Sequence, residues 1–243
     1  MQNTYLLATD LDDTLVGNQL ALENLFEYFQ KQAIDLNLIY ITGRHFDSAK
    51  ELITKEQLPI PDVLICDVGC SIYTQSTPNL FKKDSDWHDK LYSNWPVDKI
   101  FEVINDLNLE LQDNIPLAKR ISLNVDNEQD VKSVCQKLAQ EELPVKTIYS
   151  SQKDLDILPS ESGKGNALIY TLNNYYPNIQ NVLVAGNSEN DLEMLSLGYP
   201  SVIVGNAEEL LLNLREMPLL YKAQGHHADG IREAFETFFK KES

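Results

Sequence analysis

Short apolar runs without polar alternation recur along the chain, each followed by a polar turn and then by a segment with helical spacing. Such runs read as strands buried on both faces, and their alternation with helices predicts a mostly parallel sheet. The first run is Tyr5 to Thr14 (YLLATDLDDT), which ends in three carboxylates and a hydroxyl. Leu22, Leu25, Phe26 and Phe29 share one helical face, so a helix is expected over Leu20 to Ala33, followed by a strand over Leu36 to Ile41. A helix over His45 to Gln57 and a strand over Val63 to Cys66 continue the series, with Ser71 to Thr74 as an extended return. After a gap the pattern returns as strands at Leu155 to Pro159, Asn181 to Ala185, Ser201 to Val204 and Leu219 to Lys222. Helices are expected between Ser160 and Tyr175 and over Ala228 to Phe239.

The gap differs in character. From Thr77 to Trp95 the chain is polar, which is how a domain crossing reads. Beyond it, helices at Val97 to Leu107 and Asn127 to Glu141 lie among alternating strands at Lys119 to Val125 and Val145 to Ser150. The expected architecture is α/β, a Rossmann-like parallel sheet core flanked by helices with a smaller inserted α+β cap domain. Its division is 1–78 for the first part of the core, 79–152 for the insert and 153–243 for the rest. The insert is a candidate lid. Lys119 and Arg120 open one of its strands, where they meet a hydroxyl-rich or anionic substrate if that sheet faces the core, and solvent if it does not.

Composition narrows the function classes. The formal charge of −17 and the lack of a basic run argue against a nucleic-acid partner. No apolar stretch approaches the roughly 18 residues of a spanning helix, and a strand starts without a basic leader, so a cytoplasmic protein without membrane contact is expected. Cys66, Cys70 and Cys135 form no metal-like pair and read as small apolar residues. Gly225-His226-His227 is a poor metal site, because adjacent side chains point in different directions.

The candidate chemistry gathers at strand ends. In an open α/β sheet ligands bind beyond the carboxyl ends of the strands. That edge collects Asp10 and Asp12, then Thr42-Gly43-Arg44, Lys164 in SESGKGN, and Asn187 with Asp191. Thr42, Gly43 and Arg44 can each donate a hydrogen bond to a phosphoryl oxygen, although a plain strand-to-helix turn would give the same tripeptide. The GKG of Gly163 to Gly165 is not a P-loop, since Leu158 and Gly165 stand where that motif needs Gly and Ser or Thr. Nor is Asp10 to Ala21 a calcium loop, whose glycine and closing glutamate fall on Leu15 and Ala21. A hard oxygen set with one lysine and one threonine suits magnesium shared with a phosphate. The reaction such parts support is transfer of a phosphoryl group to an aspartate followed by hydrolysis, one Asp attacking and the other moving the proton.

In that order, DLDDT (Asp10 to Thr14), ITGR (Ile41 to Arg44), GKGN (Gly163 to Asn166) and GNSENDLEML (Gly186 to Leu195) resemble the four motifs of the haloacid dehalogenase superfamily of phosphatases. The insert resembles its C2-type cap. The resemblance implies Asp10 as nucleophile, Asp12 as acid/base, and Thr42 and Lys164 as phosphoryl contacts. It also implies Mg2+ held by Asp10, the Asp12 carbonyl, Asn187 and Asp191. VGCSIYT (Val68 to Thr74), KRISLNVD (Lys119 to Asp126), SSQKDLDILPSESGKGNA (Ser150 to Ala167) and KAQGHHADGI (Lys222 to Ile231) are similar to blocks of the sucrose-phosphate phosphatases. By that similarity Lys119, Arg120, Lys153 and Asp154 become sugar contacts, with Gly43, Arg44 and Asn190 beside the phosphate. Asn187 departs from the family's Gly-Asp pattern, which weakens metal binding or marks a silent binding partner of a sucrose-phosphate synthase. A monomer acting on a small sugar phosphate is the expectation, with a broad small-metabolite phosphatase as a further alternative.

Overall fold

The computed structural model describes residues 4–77, 80–107, 109–112, 119–125, 127–150 and 153–240. The expected boundaries at 78–79 and 152 fall on residues outside these ranges. In chain order the larger unit begins β1 (Thr4–Thr9), α1 (Gln19–Lys31), β2 (Asp35–Ile41), α2 (Phe46–Lys55), β3 (Val63–Cys66), β4 (Ser71–Thr77), β5 (Leu80–Lys83) and α3 (Ser85–Tyr92). The smaller unit follows with α4 (Val97–Leu107), β6 (Glu110–Leu111), β7 (Ile121–Asn124), α5 (Glu128–Gln140), β8 (Val145–Ser150) and β9 (Asp154–Pro159). The larger unit then resumes with α6 (Lys164–Tyr175), β10 (Asn181–Gly186), α7 (Leu192–Leu195), β11 (Ser201–Ile203), α8 (Glu209–Leu212), β12 (Leu220–Lys222) and α9 (Ala228–Phe239).

The large sheet has the order β12-β11-β10-β1-β2-β3-β4-β5, and β1 lies inside it, parallel to both neighbours. The strands from β12 to β3 are all parallel, while β4 and β5 are added antiparallel at one end. Alternate residues of β1 face opposite layers of helices. Leu7 packs with Leu25 and Phe29 of α1 and with Ile231 and Phe235 of α9. Leu6 and Ala8 pack on the other side with Leu168 and Leu172 of α6. Burying each such leucine stabilises the fold by about 1.5–3 kcal/mol, so β1 is held from both faces at the point where its acids emerge. Asn18 closes the start of α1, its side chain accepting from the Ala21 amide at 3.2 Å.

Two expectations are corrected. The polar stretch 77–95 contains an edge strand and a helix of the large unit: β5 pairs with β4, and Trp87 and Leu91 of α3 are buried in the cluster around Leu6. Residues of β5 alternate between exposed and half-buried, which hides an edge strand from an apolar-run search. Leu155 to Pro159 does not resume the large sheet. It is β9 of a four-stranded antiparallel sheet ordered β6-β7-β9-β8, pairing Ile121 with Ile157 and Thr147 with Ile157. In this small sheet Ile121, Leu123, Leu155 and Ile157 face α4 and α5, where they meet Ile100, Ile104, Val134 and Leu138. The alternate positions, Arg120, Ser122, Asp154 and Asp156, therefore lie on the other face. Among the described residues no helix is long and apolar enough to cross a membrane, and all three cysteines are free.

Candidate active site

A cavity of about 800 Å³ lies between the carboxyl edge of the large sheet and the polar face of the small one. From below it is lined by Asp10, Asp12, Gly43, Arg44, Lys164, Asn187 and Asn190, and from above by Gln112, Arg120, Asp154 and Asp156.

Asp10 follows the last residue of β1 and is pinned by its amide, which donates to the Ala185 carbonyl of the adjacent β10 at 3.0 Å. The chain then enters a tight irregular turn over Leu11–Leu15, in which Asp13 has φ of 56°. This turn carries Asp12 to the same cavity wall as Asp10. Lys164, at the start of α6, is buried and donates to Asp10 Oδ1 at 2.7 Å and to Asp191 Oδ1 at 2.6 Å. Burial pushes the Asp10 carboxyl up, Lys164 opposes that, and Asp191 and Asp12 add to it, leaving it at about 7. Burial alone would lower the Lys164 ammonium, but Asp10 and Asp191 outweigh it and raise the group above its ordinary value.

The second acid is held differently. Arg44 grips Asp12 with a two-pronged contact, Nε and Nη2 each donating at 2.8 Å, and its Nη1 donates to Ser48 Oγ at 2.9 Å. This planar fork-to-carboxylate pair is the strong geometry for arginine. Arg44, read from the sequence as a phosphate contact, is thus paired with the acid beside it. Thr42 is buried behind the cavity wall, its amide donating to the Ile65 carbonyl at 2.9 Å and its Oγ1 accepting from the Arg44 amide at 3.1 Å.

Asn187 and Asp191 divide the work expected of them. Asn187 reaches the cavity and accepts from Thr14 Oγ1 at 2.8 Å. Asp191 is fully buried, with Oδ1 on Lys164 and Oδ2 accepting from the Asn187 and Ser188 amides at 2.9 and 3.0 Å. Read from the sequence as a metal ligand, Asp191 has both oxygens engaged and braces Asn187 and Lys164 from behind. Among the described residues no three His, Cys, Asp or Glu side chains form a metal-type cluster. The oxygens on offer are a carboxylate on Asp10, an amide oxygen on Asn187 and the main-chain carbonyls of the turn.

Overhead, Arg120 Nη1 donates to Asp156 Oδ2 at 3.3 Å, Ser122 donates to the other Asp156 oxygen, and Gln112 Nε2 donates to Asp154 Oδ1 at 2.7 Å. Arg120 Nε is buried with no partner among the described residues. Of the four residues expected to touch a sugar, Arg120 and Asp154 line the cavity. Lys119 and Lys153 do not. Lys119 turns down to Asp67 Oδ2 at 3.0 Å and Tyr73 Oη at 2.9 Å, while Lys153 is exposed.

The cavity also holds residues that sequence reasoning missed. Asp156 was signalled by its alternation with Asp154 along β9; Ser122, alternating with Arg120, stands behind it as its hydrogen-bond donor. Asn206 and His227 had no such signal. Asn206 Nδ2 donates to the Asp13 carbonyl at 2.7 Å, and His227 Nδ1 lies 3.2 Å from the same oxygen, so both steady the turn after β1. The His226 and His227 rings lie edge to face, their centroids 6.3 Å apart.

An Asp-x-Asp turn after a central parallel strand, a lysine opposite it on α6 and an α+β insert above the sheet edge place the chain in the haloacid dehalogenase superfamily. Within it the chain belongs to the sucrose-6F-phosphate phosphohydrolase family, whose profile matches residues 3–239. The solved sucrose-phosphatase of Synechocystis sp. PCC6803, in complex with sucrose and phosphate, is 33% identical with a TM-score of 0.88 over 97% of this chain and 98% of that one. Among curated relatives, the glucosylglycerol-phosphate synthase of Pseudomonas anguilliseptica is 33% identical over 96% of this chain, and the probable sucrose-phosphatase 2 of Arabidopsis thaliana 31% over 96%. The chain spans 30% of the former's length and 59% of the latter's.

Proposed function

We propose that the chain is a magnesium-dependent phosphatase that releases phosphate from a sugar phosphate, sucrose 6-phosphate before others, through an aspartyl phosphate on Asp10. The observation that carries this reading is the facing of two unlike walls across one cavity. The lower wall, with Asp10, Lys164 and Asn187, is built for a phosphoryl group, and the upper wall, with Arg120, Asp154, Asp156 and Gln112, for hydroxyls. Sugars need convergent polar groups, because apolar walls discriminate poorly against a hydroxyl. Arg120 Nε, without a partner among the described residues, is a donor that such an oxygen would satisfy.

An Asp10 oxygen attacks phosphorus, the phosphorus–oxygen bond to the sugar breaks, and Asp12 gives its proton to the leaving oxygen. Water then attacks the phosphoryl group on Asp10, and Asp12 takes the water's proton. Lys164 and the Thr42 hydroxyl offset the charge on the phosphoryl oxygens. Once protonated, Asp12 can keep at most one of its two bonds from Arg44, so the grip of Arg44 loosens in step with the proton.

The residues present fit magnesium. Burial first, and then Asp191 and Asp12, lift the Asp10 carboxyl to about 7 despite Lys164, and a cation beside it would favour the charged form. Asp10, Asn187 and the Asp12 carbonyl would hold it, with water and the phosphate supplying the remaining oxygens. When bound, the ion offsets the repulsion between Asp10 and the phosphate.

A phosphate-release screen over sucrose 6-phosphate, other disaccharide phosphates and small phosphorylated metabolites tests the reading. Release expected from sucrose 6-phosphate disappears with EDTA and in Asp10→Asn. No release from any sugar phosphate with ample magnesium would overturn it, and flat selectivity would favour a broad phosphatase. A silent partner of a sucrose-phosphate synthase is the second reading, supported by Asn187 in place of an acid and by the match to part of a glucosylglycerol-phosphate synthase. It predicts that Asn187→Asp leaves turnover absent.

A further inference from the structure

We propose that Lys119 and Lys146, both carried by the small unit, are positioning residues for the two turns that hold Thr42 and Lys164, so that the small unit helps build the phosphoryl site it covers. The inference rests on the reading of Thr42 and Lys164 as phosphoryl contacts.

Each lysine reaches a carboxylate of the large unit that braces one of these turns. Lys119 Nζ donates to Asp67 Oδ2 at 3.0 Å, and the Lys119 carbonyl is itself held by Tyr92 Oη at 2.7 Å. Asp67 is 1% exposed, and its amide donates to the Arg44 carbonyl at 2.9 Å while the next amide, of Val68, donates to the Thr42 carbonyl at 3.1 Å. Asp67 and Val68 have φ of 54° and 55°, a left-handed conformation that non-glycine residues hold only where their surroundings fix it. On the other side Lys146 Nζ donates to Glu193 Oε1 at 3.1 Å, and Glu193 Oε2 accepts from the Gly165 amide at 3.2 Å, one residue past Lys164.

The two ties meet in the middle. A Cβ on Gly69 would overlap the Gly163 carbonyl and lie 2.9 Å from the Lys164 nitrogen, so the turn after β3 and the turn before α6 touch backbone to backbone. A Cβ on Gly163, which has φ of 110°, would in turn overlap Glu193 and lie 2.5 Å from Lys146 Nζ. The result is an unbroken line of contact from Lys119 through Asp67, Gly69, Gly163 and Glu193 to Lys146. Without Lys119 the buried Asp67 carboxylate has lost its cation, and the strained turn it anchors is free to rearrange. Without Lys146 the Glu193 carboxylate keeps its helix-end amide and loses the group that aims it.

A substrate without sugar hydroxyls separates this role from sugar contact. In Lys119→Met and Lys146→Met, kcat for p-nitrophenyl phosphate is expected to fall about tenfold or more with a smaller change in KM, the mark of a displaced reacting group. Lys137→Met, which breaks an exposed pair with Asp106 inside the small unit, serves as the control and leaves kcat unchanged. Lys146→Arg should restore most of the loss, and Lys119→Met with Asp67→Asn should exceed Lys119→Met alone, since no unpaired buried charge remains. Amide exchange gives a readout independent of turnover: Val68 should exchange faster in Lys119→Met and Gly165 faster in Lys146→Met. Unchanged kcat in both variants, or unchanged exchange at both amides, overturns the proposal. Should the wild type cleave p-nitrophenyl phosphate and no sugar phosphate, the substrate reading fails while kcat still decides this one. Should it cleave neither, the exchange rates decide.

Discussion

Replacing Lys164 with methionine keeps the length of the side chain and removes its charge, in a position 1% exposed between two carboxylates. Breaking a buried ion pair by removing one partner costs about 3–5 kcal/mol, because the remaining charge is stranded. Here pH divides that range. With Lys164 present Asp10 ionises near 7, and without it the carboxyl rises further, since burial and Asp191 both push it up. A carboxyl whose folded pKa exceeds its unfolded value of about 3.9 loses the protein stability as pH rises between the two, at about 1.4 kcal/mol per pH unit. That loss ends near pH 7 in the wild type and continues above it in Lys164→Met. Below pH 7 Asp10 is neutral in both proteins, and the variant is less stable by about 3 kcal/mol, the lower end of the range. Between pH 6 and 8 the deficit should widen by about 1.4 kcal/mol. Urea unfolding in EDTA at pH 6, 7 and 8 measures it. A deficit under about 1 kcal/mol, or one equal at pH 6 and 8, would refute the view that Lys164 holds an over-charged pair of buried acids together.

The same carboxyl governs metal uptake. Asp10 must shed its proton to take a cation, so magnesium affinity should rise about tenfold from pH 6 to 8, the greater part of it below pH 7, with proton release visible in calorimetry; equal Kd values at pH 6 and 8 would be inconsistent with it. Asn187→Asp keeps an acceptor for Thr14 Oγ1 and adds charge, so magnesium should bind several-fold more tightly, as read by the magnesium dependence of phosphate release. Arg44→Met frees Asp12 from its clamp, and kcat/KM should fall about 10–100-fold, less than the roughly 100-fold or more expected of Asp12→Asn; a larger loss in Arg44→Met would assign Arg44 a direct part in the chemistry. Arg120→Met removes the cation paired with Asp156 and an Nε without a partner among the described residues, and should raise KM for the sugar phosphate more than for p-nitrophenyl phosphate.

Much of this was legible in sequence because it is local. A buried run ending in acids announces a central strand and its carboxyl end, and Asp10, Asp12, Thr42 and Asn187 follow β1, β2 and β10 as that logic has it, whereas Lys164 opens α6 after a strand of the small sheet. Pairing partners are another matter. The run LDILP reads the same in either sheet, since Leu155, Ile157 and Leu158 are buried whichever neighbours they have, and register with β7 and β8 alone assigns it. The short polar edge of β5 carries no apolar run to find. Lys119 fails for a third reason: a flexible four-carbon stem lets a residue at a strand's start turn toward Asp67, 52 positions back in the chain, and no local pattern encodes that reach.

The sheet order also sets a timetable for making the protein. β1 needs β10 along its second edge, with Tyr5 opposite Asn181 and Thr9 opposite Ala185, so the strand bearing Asp10 stays half-paired until the ribosome has passed residue 185. The β8–β9 hairpin and the helices of the small unit pair over far shorter separations. Loop closure over such a span is slow, while local contacts form early. The small unit can therefore fold on the nascent chain as a finished roof, and the floor beneath it closes last.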